Sequence, residues 1–434
     1  MTSPADEPLR RDIGFLGSAF LSFNGVVGGG IFALPATLYT QFGAFSPLLF
    51  PLFGLLVLVI AVPFSRVAAR HPLSGGPVVY AAAFGPAAAF QAGWIYYVAR
   101  VTALAANATL LVTYLAGWWP ALGDPLPRAA VIVGLCALLA AINIAGVRRA
   151  VRVLDALTLL KATPLLLAAL YGLVLAGGIE PPAPVPPAAD LGAAALLILF
   201  AFVGFENSVV AAGETAHPQR TIPRALLATI LATAGLYFLV QLAYVAVMPP
   251  VASKTPLIDF GRALLGPAGA LLLTAAAIFS LLGNISGGMT GTTRTTYAMG
   301  RDGLLPGWFG RVSGRYATPA NSIAFMGALI ALLALTGSFV WLAVVSTLAR
   351  MFVYSISIAS LAKGGRPAPL LWAGMAAGIA ICAWAAAQSK AQSWWMLAIL
   401  AAVGTALYVV ARLAMRGGTP LPPAGEGGAR EAGG

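Results

Sequence analysis

Residues 25–35 read GVVGGGIFALP, and three consecutive glycines, Gly28, Gly29 and Gly30, fall where a membrane helix should be most regular. Each glycine is about 1 kcal/mol worse than alanine in a helix interior. The chain around this stretch has 434 residues, of which 60% are hydrophobic and 9% charged. A soluble domain carries about 25% charged residues, so the composition is that of an all-α polytopic membrane protein. The formal net charge of +12 does not point to nucleic acid, because the basic residues fall mostly in short loops between apolar segments. Positive charge in such loops sets orientation in the bilayer.

Twelve spans are predicted, at roughly 14–40, 44–68, 88–117, 129–146, 152–176, 190–213, 224–248, 265–292, 321–337, 339–361, 369–388 and 394–414. Each has close to the twenty-odd residues that cross about 30 Å of hydrocarbon. Trp118–Trp119 and Trp394–Trp395 fall at predicted interfaces on one side, as an aromatic belt would. With the N-terminus inside, 18 of the 25 Lys and Arg lie on the inner side. Four (Arg128, Lys254, Arg262 and Lys390) lie outside, and Arg100, Lys161 and Arg350 fall within spans. Both termini are therefore expected in the cytoplasm.

The leader MTSPADEPLRRDIG is polar, and the apolar run after it is too long for a cleavable signal peptide. The expected organisation is a cytoplasmic leader over 1–13, a first unit of five helices over 14–176, and an external linker over 177–189 whose five prolines prevent helix. A second unit over 190–361, two further helices over 362–414, and a disordered cytoplasmic tail over 415–434 complete it. Cys136 and Cys382 lie in separate apolar segments with no metal spacing, so no cofactor or metal is expected.

The sixth span, LLILFAFVGFENSVVAAGETAHPQR over 196–220, holds Gly204 and the acid Glu206 near its middle. An acid at that depth usually faces a cavity or a partner. Spans one and six thus share a mid-depth interruption five helices apart, the pattern of an inverted repeat with its site at the midplane. Lys161 in span five and Arg350 in span ten occupy matching places in the two units. A broken helix frees backbone groups that are tolerated only where they line a cavity or meet a ligand. Its N–H end suits a carboxylate and its C=O end an ammonium. Two such breaks side by side complement a zwitterion, and an amino acid is the obvious small solute of that kind.

Five stretches carry a family resemblance: GGGIFALP, SGGPVVYAAAFGP with GWIYYVARVTALAAN, LTLLKATPLL, FAFVGFENSVVAAGETAHPQRTIPRAL, and RTTYAMGRDGLLPGWF. Through them, over about residues 12 to 361, the chain resembles the amino acid–polyamine–organocation (APC) transporters, of the bacterial amino acid permease type. The resemblance implies the leucine-transporter-type fold of two inverted five-helix repeats, with two helices added here. It implies a sodium-independent permease working by alternating access, with spans one, two, six and seven rocking against the rest.

The same resemblance implies the site. Amides around Gly28, Gly29, Gly30 and Ile31 would hold the substrate carboxylate. Carbonyls near Val26, Phe200 and Val203 would receive the α-amine, with the Phe200 ring as a gate. Gly29 stands where many relatives place serine. Lys161 matches a lysine that stands where sodium-coupled relatives of the wider fold bind the ion; it either exchanges a proton or remains a fixed structural cation. Glu206 matches an acid proposed to sense protons in some members. It is also a candidate partner for Arg100, and Arg350 reads as a structural residue of span ten.

Phe200, Leu104 and Phe202 make an apolar pocket that favours neutral amino acids, and Arg100 disfavours cationic ones unless Glu206 neutralises it. Proton coupling, exchange and export stay open, with an arginine/agmatine-type or other polyamine antiporter as the alternative. Partners expected are the amino acid, protons and the lipid bilayer of the bacterial inner membrane; oligomeric state is open. An enzyme is excluded: Ser286 lacks a base, since His71 and His217 lie in predicted loops, and no H-E-x-x-H occurs. Ser286 and Thr290 read as polar lining of span eight. A channel would need a continuous polar pore and a sensor an output domain, and neither pattern is present.

Overall fold

The structure is a computed structural model that describes residues 13–71, 76–146, 150–178, 181, 183–210, 212–364 and 368–417. Residues 1–12 of the expected leader, part of the Pro-rich linker (179, 180 and 182) and the tail from 418 lie outside the described residues. So do the basic loop positions 10, 11, 148, 149, 366 and 430.

The described residues are all-helical, with fifteen α-helices in chain order. The first span is two pieces, α1 (Phe15–Val26) and α2 (Gly30–Phe42). A 3₁₀ turn over Gly43–Leu48 leads into α3 (Leu49–Arg70), and a short α4 (Pro77–Ala81) precedes α5 (Pro86–Ala116). Next come α6 (Pro125–Ile144), α7 (Ala150–Ala176) and α8 (Ala188–Phe200), then the one-turn α9 (Asn207–Val210) and α10 (Pro218–Val247). The last five are α11 (Pro256–Arg301), α12 (Ala320–Thr336), α13 (Phe339–Ala359), α14 (Pro369–Ala387) and α15 (Ala391–Gly417).

Among the described residues eight helical stretches are long and apolar enough to cross a membrane, and four shorter apolar helices accompany them. α11 starts at Pro256, nine residues ahead of the expected 265. Its opening segment bends at Leu265 and Gly266 before Pro267, so the sequence reading found only the part beyond the kink. Burial sorts the helices: 94% of the most apolar window of α5 is buried, against 17% for α6 and 22% for α15. α5 is therefore the central post, packed against α11 and α13, while α6, α14 and α15 turn apolar side chains outward. Trp118, Trp119, Trp394 and Trp395 are all exposed.

The two interrupted helices lie antiparallel. Gly30 meets Ala201, Gly25 meets Gly204, and Ser22 Oγ donates to Phe205 O and to Ser208 Oγ. Along Ser22–Gly30 residue numbers thus fall as they rise along the partner segment. Ahead of α1 the chain makes a separate, parallel bridge, in which Ile13 N donates to Glu214 O and Ala216 N donates to Ile13 O.

Candidate functional site

Helix α1 ends at Val26, where Val27 leaves helical geometry, and α2 begins at Gly30. The carbonyls freed at the end of α1 are held by side chains from three other helices. Lys161 Nζ (α7) donates to Asn24 O at 3.1 Å, Asn24 Oδ1 at 2.6 Å and Val27 O at 2.7 Å. Asn284 Nδ2 (α11) reaches Asn24 O and Gly25 O, both at 3.1 Å, and Ser280 Oγ adds a bond to Val27 O. Val26 O accepts from Gly28 N and from Tyr237 OH (α10).

The amide side is less filled. Gly29 N donates to Asn107 Oδ1 (α5) at 3.1 Å, and Asn107 Nδ2 donates to Asn284 Oδ1 at 2.9 Å. Gly30 and Ile31 open α2, so their N–H groups have no intrahelical acceptor.

The second break runs from Ala201 to Glu206. No backbone N–H closes onto the carbonyls of residues 200–203 among the described residues. Gly204 has φ +112°, and a Cβ there would stand 2.4 Å from Gly25 O. Only glycine fits both demands. A Cβ on Gly30 would likewise lie 2.7 Å from Ala201 Cα. That answers the question posed by the glycine run: they let two unwound backbones touch.

Glu206 locks this turn. One carboxylate oxygen accepts from Gly204 N and from Tyr354 OH (α13), each at 2.9 Å. The other accepts from Arg350 Nε at 3.1 Å, in an ion pair with both side chains 1% exposed. Arg350 is further held by Ala99 O and Ser346 Oγ. The expected Arg100–Glu206 pairing is therefore corrected: the partner is Arg350, which reaches Glu206 from α13 and satisfies it at hydrogen-bond distance.

Between the breaks lies a cavity bounded by Gly25, Val26, Gly28, Gly29, Gly30, Phe200 and Val203, with Arg100, Ala103, Asn107, Asn284 and Arg350 completing the wall. It encloses about 270 Å³ of atom-free space counting its open margin, while its innermost part has room for little more than a water. The described conformation is close to shut. Arg100, Ala103 and Asn107 stand at i, i+3 and i+7, one stripe of α5. The Phe200 ring meets Phe339 edge-on at 5.6 Å.

Of the residues anticipated from sequence, Val26, Gly28, Gly29, Gly30, Phe200, Val203 and Arg100 line this cavity. Lys161 and Glu206 lie behind its wall, holding the two breaks in shape. Ile31 buries its side chain and presents its N–H in the first turn of α2. Three expectations differ. Leu104 faces Gly288, one position round the helix from the stripe. Phe202 packs against Phe50 and Tyr237. Ser286 is outside the wall, its carbonyl accepting from Thr290, whose hydroxyl also bonds Asn143 on an exposed face. Asn107, Asn284, Gly25 and Ala103 were not anticipated. The two asparagines were the findable ones, as lone amides in apolar spans.

The family model described as amino acid permease matches residues 13–411, and the chain belongs to that family. It is 32% identical over 440 residues to an uncharacterized transporter of Mycobacterium tuberculosis, spanning 95% of this chain and 94% of that one. The same figures hold for an uncharacterized transporter of Mycobacterium bovis. A cadaverine/lysine antiporter of Escherichia coli is 27% identical over 342 residues, 75% of this chain and 74% of its own. The chain is a multi-pass membrane transporter and not an enzyme.

Proposed function

We propose that this permease is a secondary active transporter that binds an amino acid between its two helix breaks and carries it across by alternating access. The observation that carries the reading is the meeting of two unwound segments at one cavity. Unbonded first-turn amides of α2 stand on one side, and the free carbonyls of residues 200–203 stand on the other. Amides attract a carboxylate and carbonyls an ammonium, so the pair selects a zwitterion.

Twelve spans follow if α1 with α2 and α8 with α9 are halves of spans one and six. The antiparallel run of those halves supports two inverted five-helix units of the leucine-transporter type over 14–176 and 190–361, plus two further helices. The basic loops support cytoplasmic termini and residence in the bacterial inner membrane. Transport is independent of sodium, because the carbonyls of Asn24 and Val27, which would suit a small cation, already hold the Lys161 ammonium. The driving force is a proton gradient or exchange of one amino acid for another.

The wall of Ala103, Phe200 and Val203 accommodates a neutral side chain. A cationic one, such as the lysine in the name of the E. coli relative, meets Arg100 and Arg350. Uptake of a radiolabelled amino acid panel into proteoliposomes tests the reading. Sodium-free influx is expected, requiring either internal amino acid or an imposed pH gradient. An absolute sodium requirement, or no amino acid flux under any condition, refutes it.

A further inference from the structure

The buried charges do not balance. Among the described residues four side chains of the charged types lie buried within the bundle: Arg100, Lys161 and Arg350 are basic, and Glu206 alone is acidic. Lys161 is satisfied by three oxygens, and Arg350 by Glu206, Ala99 O and Ser346 Oγ. Arg100 is different. It is 4% exposed, yet its guanidinium makes one hydrogen bond among the described residues, from Nε to Thr292 Oγ1 at 3.4 Å. Its remaining donors have no acceptor among the described residues, and the side chain forms part of the cavity wall. A guanidinium carries five N–H donors in a fork that fits a carboxylate, and leaving most of them unpaired in a buried site is costly.

We infer that Arg100 is a specificity-determining residue that pairs with a second carboxylate of the substrate, so that this permease takes acidic amino acids. The inference rests on the amino acid reading above and narrows it. The α-carboxylate and α-amine are assigned to the amides of α2 and the carbonyls of residues 200–203. A side-chain carboxylate then supplies the acceptor that Glu206, committed to Arg350, does not give Arg100. The apolar surface of Ala103 and Phe200 would flank the intervening methylenes. This replaces the neutral preference read from sequence, whose basis was partly Leu104 and Phe202, neither of which lines the cavity.

The test compares isosteres on the full-length protein in proteoliposomes, with ligand-induced thermal stabilisation in detergent as a readout that does not require transport. Glutamate and aspartate should exceed glutamine and asparagine at least tenfold in kcat/KM and stabilise the protein at correspondingly lower concentration. Arg100→Gln should bring that ratio to about one, and Arg100→Lys should retain most of it. Should Arg100→Gln fail to fold, the wild-type comparison of acid with amide still decides. Glutamine handled as well as glutamate by the wild type overturns the inference and leaves the amino acid reading standing. Stabilisation by chloride alone, undisplaced by glutamate, also overturns it, by assigning the charge a free anion. No amino acid bound or moved at all defeats the parent reading instead.

Discussion

Removing the Glu206–Arg350 pair one partner at a time, and then both together, gives the sharpest test of how the second break is held. In Glu206→Gln the amide oxygen can accept from either Gly204 N or Arg350 Nε, and its NH₂ group must face the remaining donors. Tyr354 OH can rotate to accept; Gly204 N–H and Arg350 cannot. At least one donor therefore faces a donor, and Arg350 loses its counter-charge in a site where it is 1% exposed. Breaking a buried pair from one side costs about 3–5 kcal/mol. Arg350→Met should cost a similar amount by stranding the carboxylate.

The double variant Glu206→Gln/Arg350→Met is another matter. Its amide oxygen can accept from both Gly204 N and Tyr354 OH, as one carboxylate oxygen does in the wild type, with its NH₂ group on the side that Arg350 leaves and no charge left behind. It should be more stable than the sum of the singles by at least about 3 kcal/mol, a coupling at the upper end for residues in contact. The assay is unfolding of the purified protein in mixed micelles, wild type and three variants side by side. Single costs under about 1 kcal/mol, or strict additivity, would show that the pair is not what holds the turn.

Three further substitutions probe the two breaks and a control site. Gly204→Ala forces a side chain into φ +112° and to within 2.4 Å of Gly25 O, so it should destabilise by roughly 3 kcal/mol or more and abolish uptake. Gly235→Ala in α10, where a Cβ meets open space, should be neutral or slightly stabilising in the same unfolding assay. Lys161→Met leaves Asn24 Oδ1 without its donor while Asn284 and Ser280 still serve the carbonyls of Asn24 and Val27. A loss of about 2 kcal/mol by unfolding is expected, since one buried acceptor is orphaned rather than three. Sodium stimulation of uptake in that variant would mark the vacated carbonyls as a cation site.

The breaks were legible in sequence because they violate rules that hold everywhere else in a span: glycines in succession, and a carboxylic acid amid apolar residues. Lys161 was legible for the same reason. What surrounds them was not. α5 is buried on nearly every side, so apolar patterning does not mark which of its faces lines the cavity, and only Arg100 and Asn107 on it hint at the face. Leu104 therefore looked as good a candidate as Ala103 or Asn107, which stand one and three positions from it. The partner of Glu206 could not be read either, since Arg100 and Arg350 both lie within spans and only packing brings α13, not α5, to hydrogen-bond distance. Phe202 sits in the unwound segment, where helical periodicity gives no facing; it turned toward Phe50 and Tyr237.

The pair of backbone bonds joining Ile13 to Glu214 and Ala216 has a mechanical result. It yokes the outer end of α1 to the chain just beyond α9, while Gly25 and Gly30 rest against Gly204 and Ala201 farther in. Two rods fastened at one tip and in touch along their length share a single tilt coordinate. A solute gripping both breaks then biases that one coordinate, and the exposed Arg294–Glu214 contact at 3.7 Å adds a catch beside the yoke that added salt would loosen.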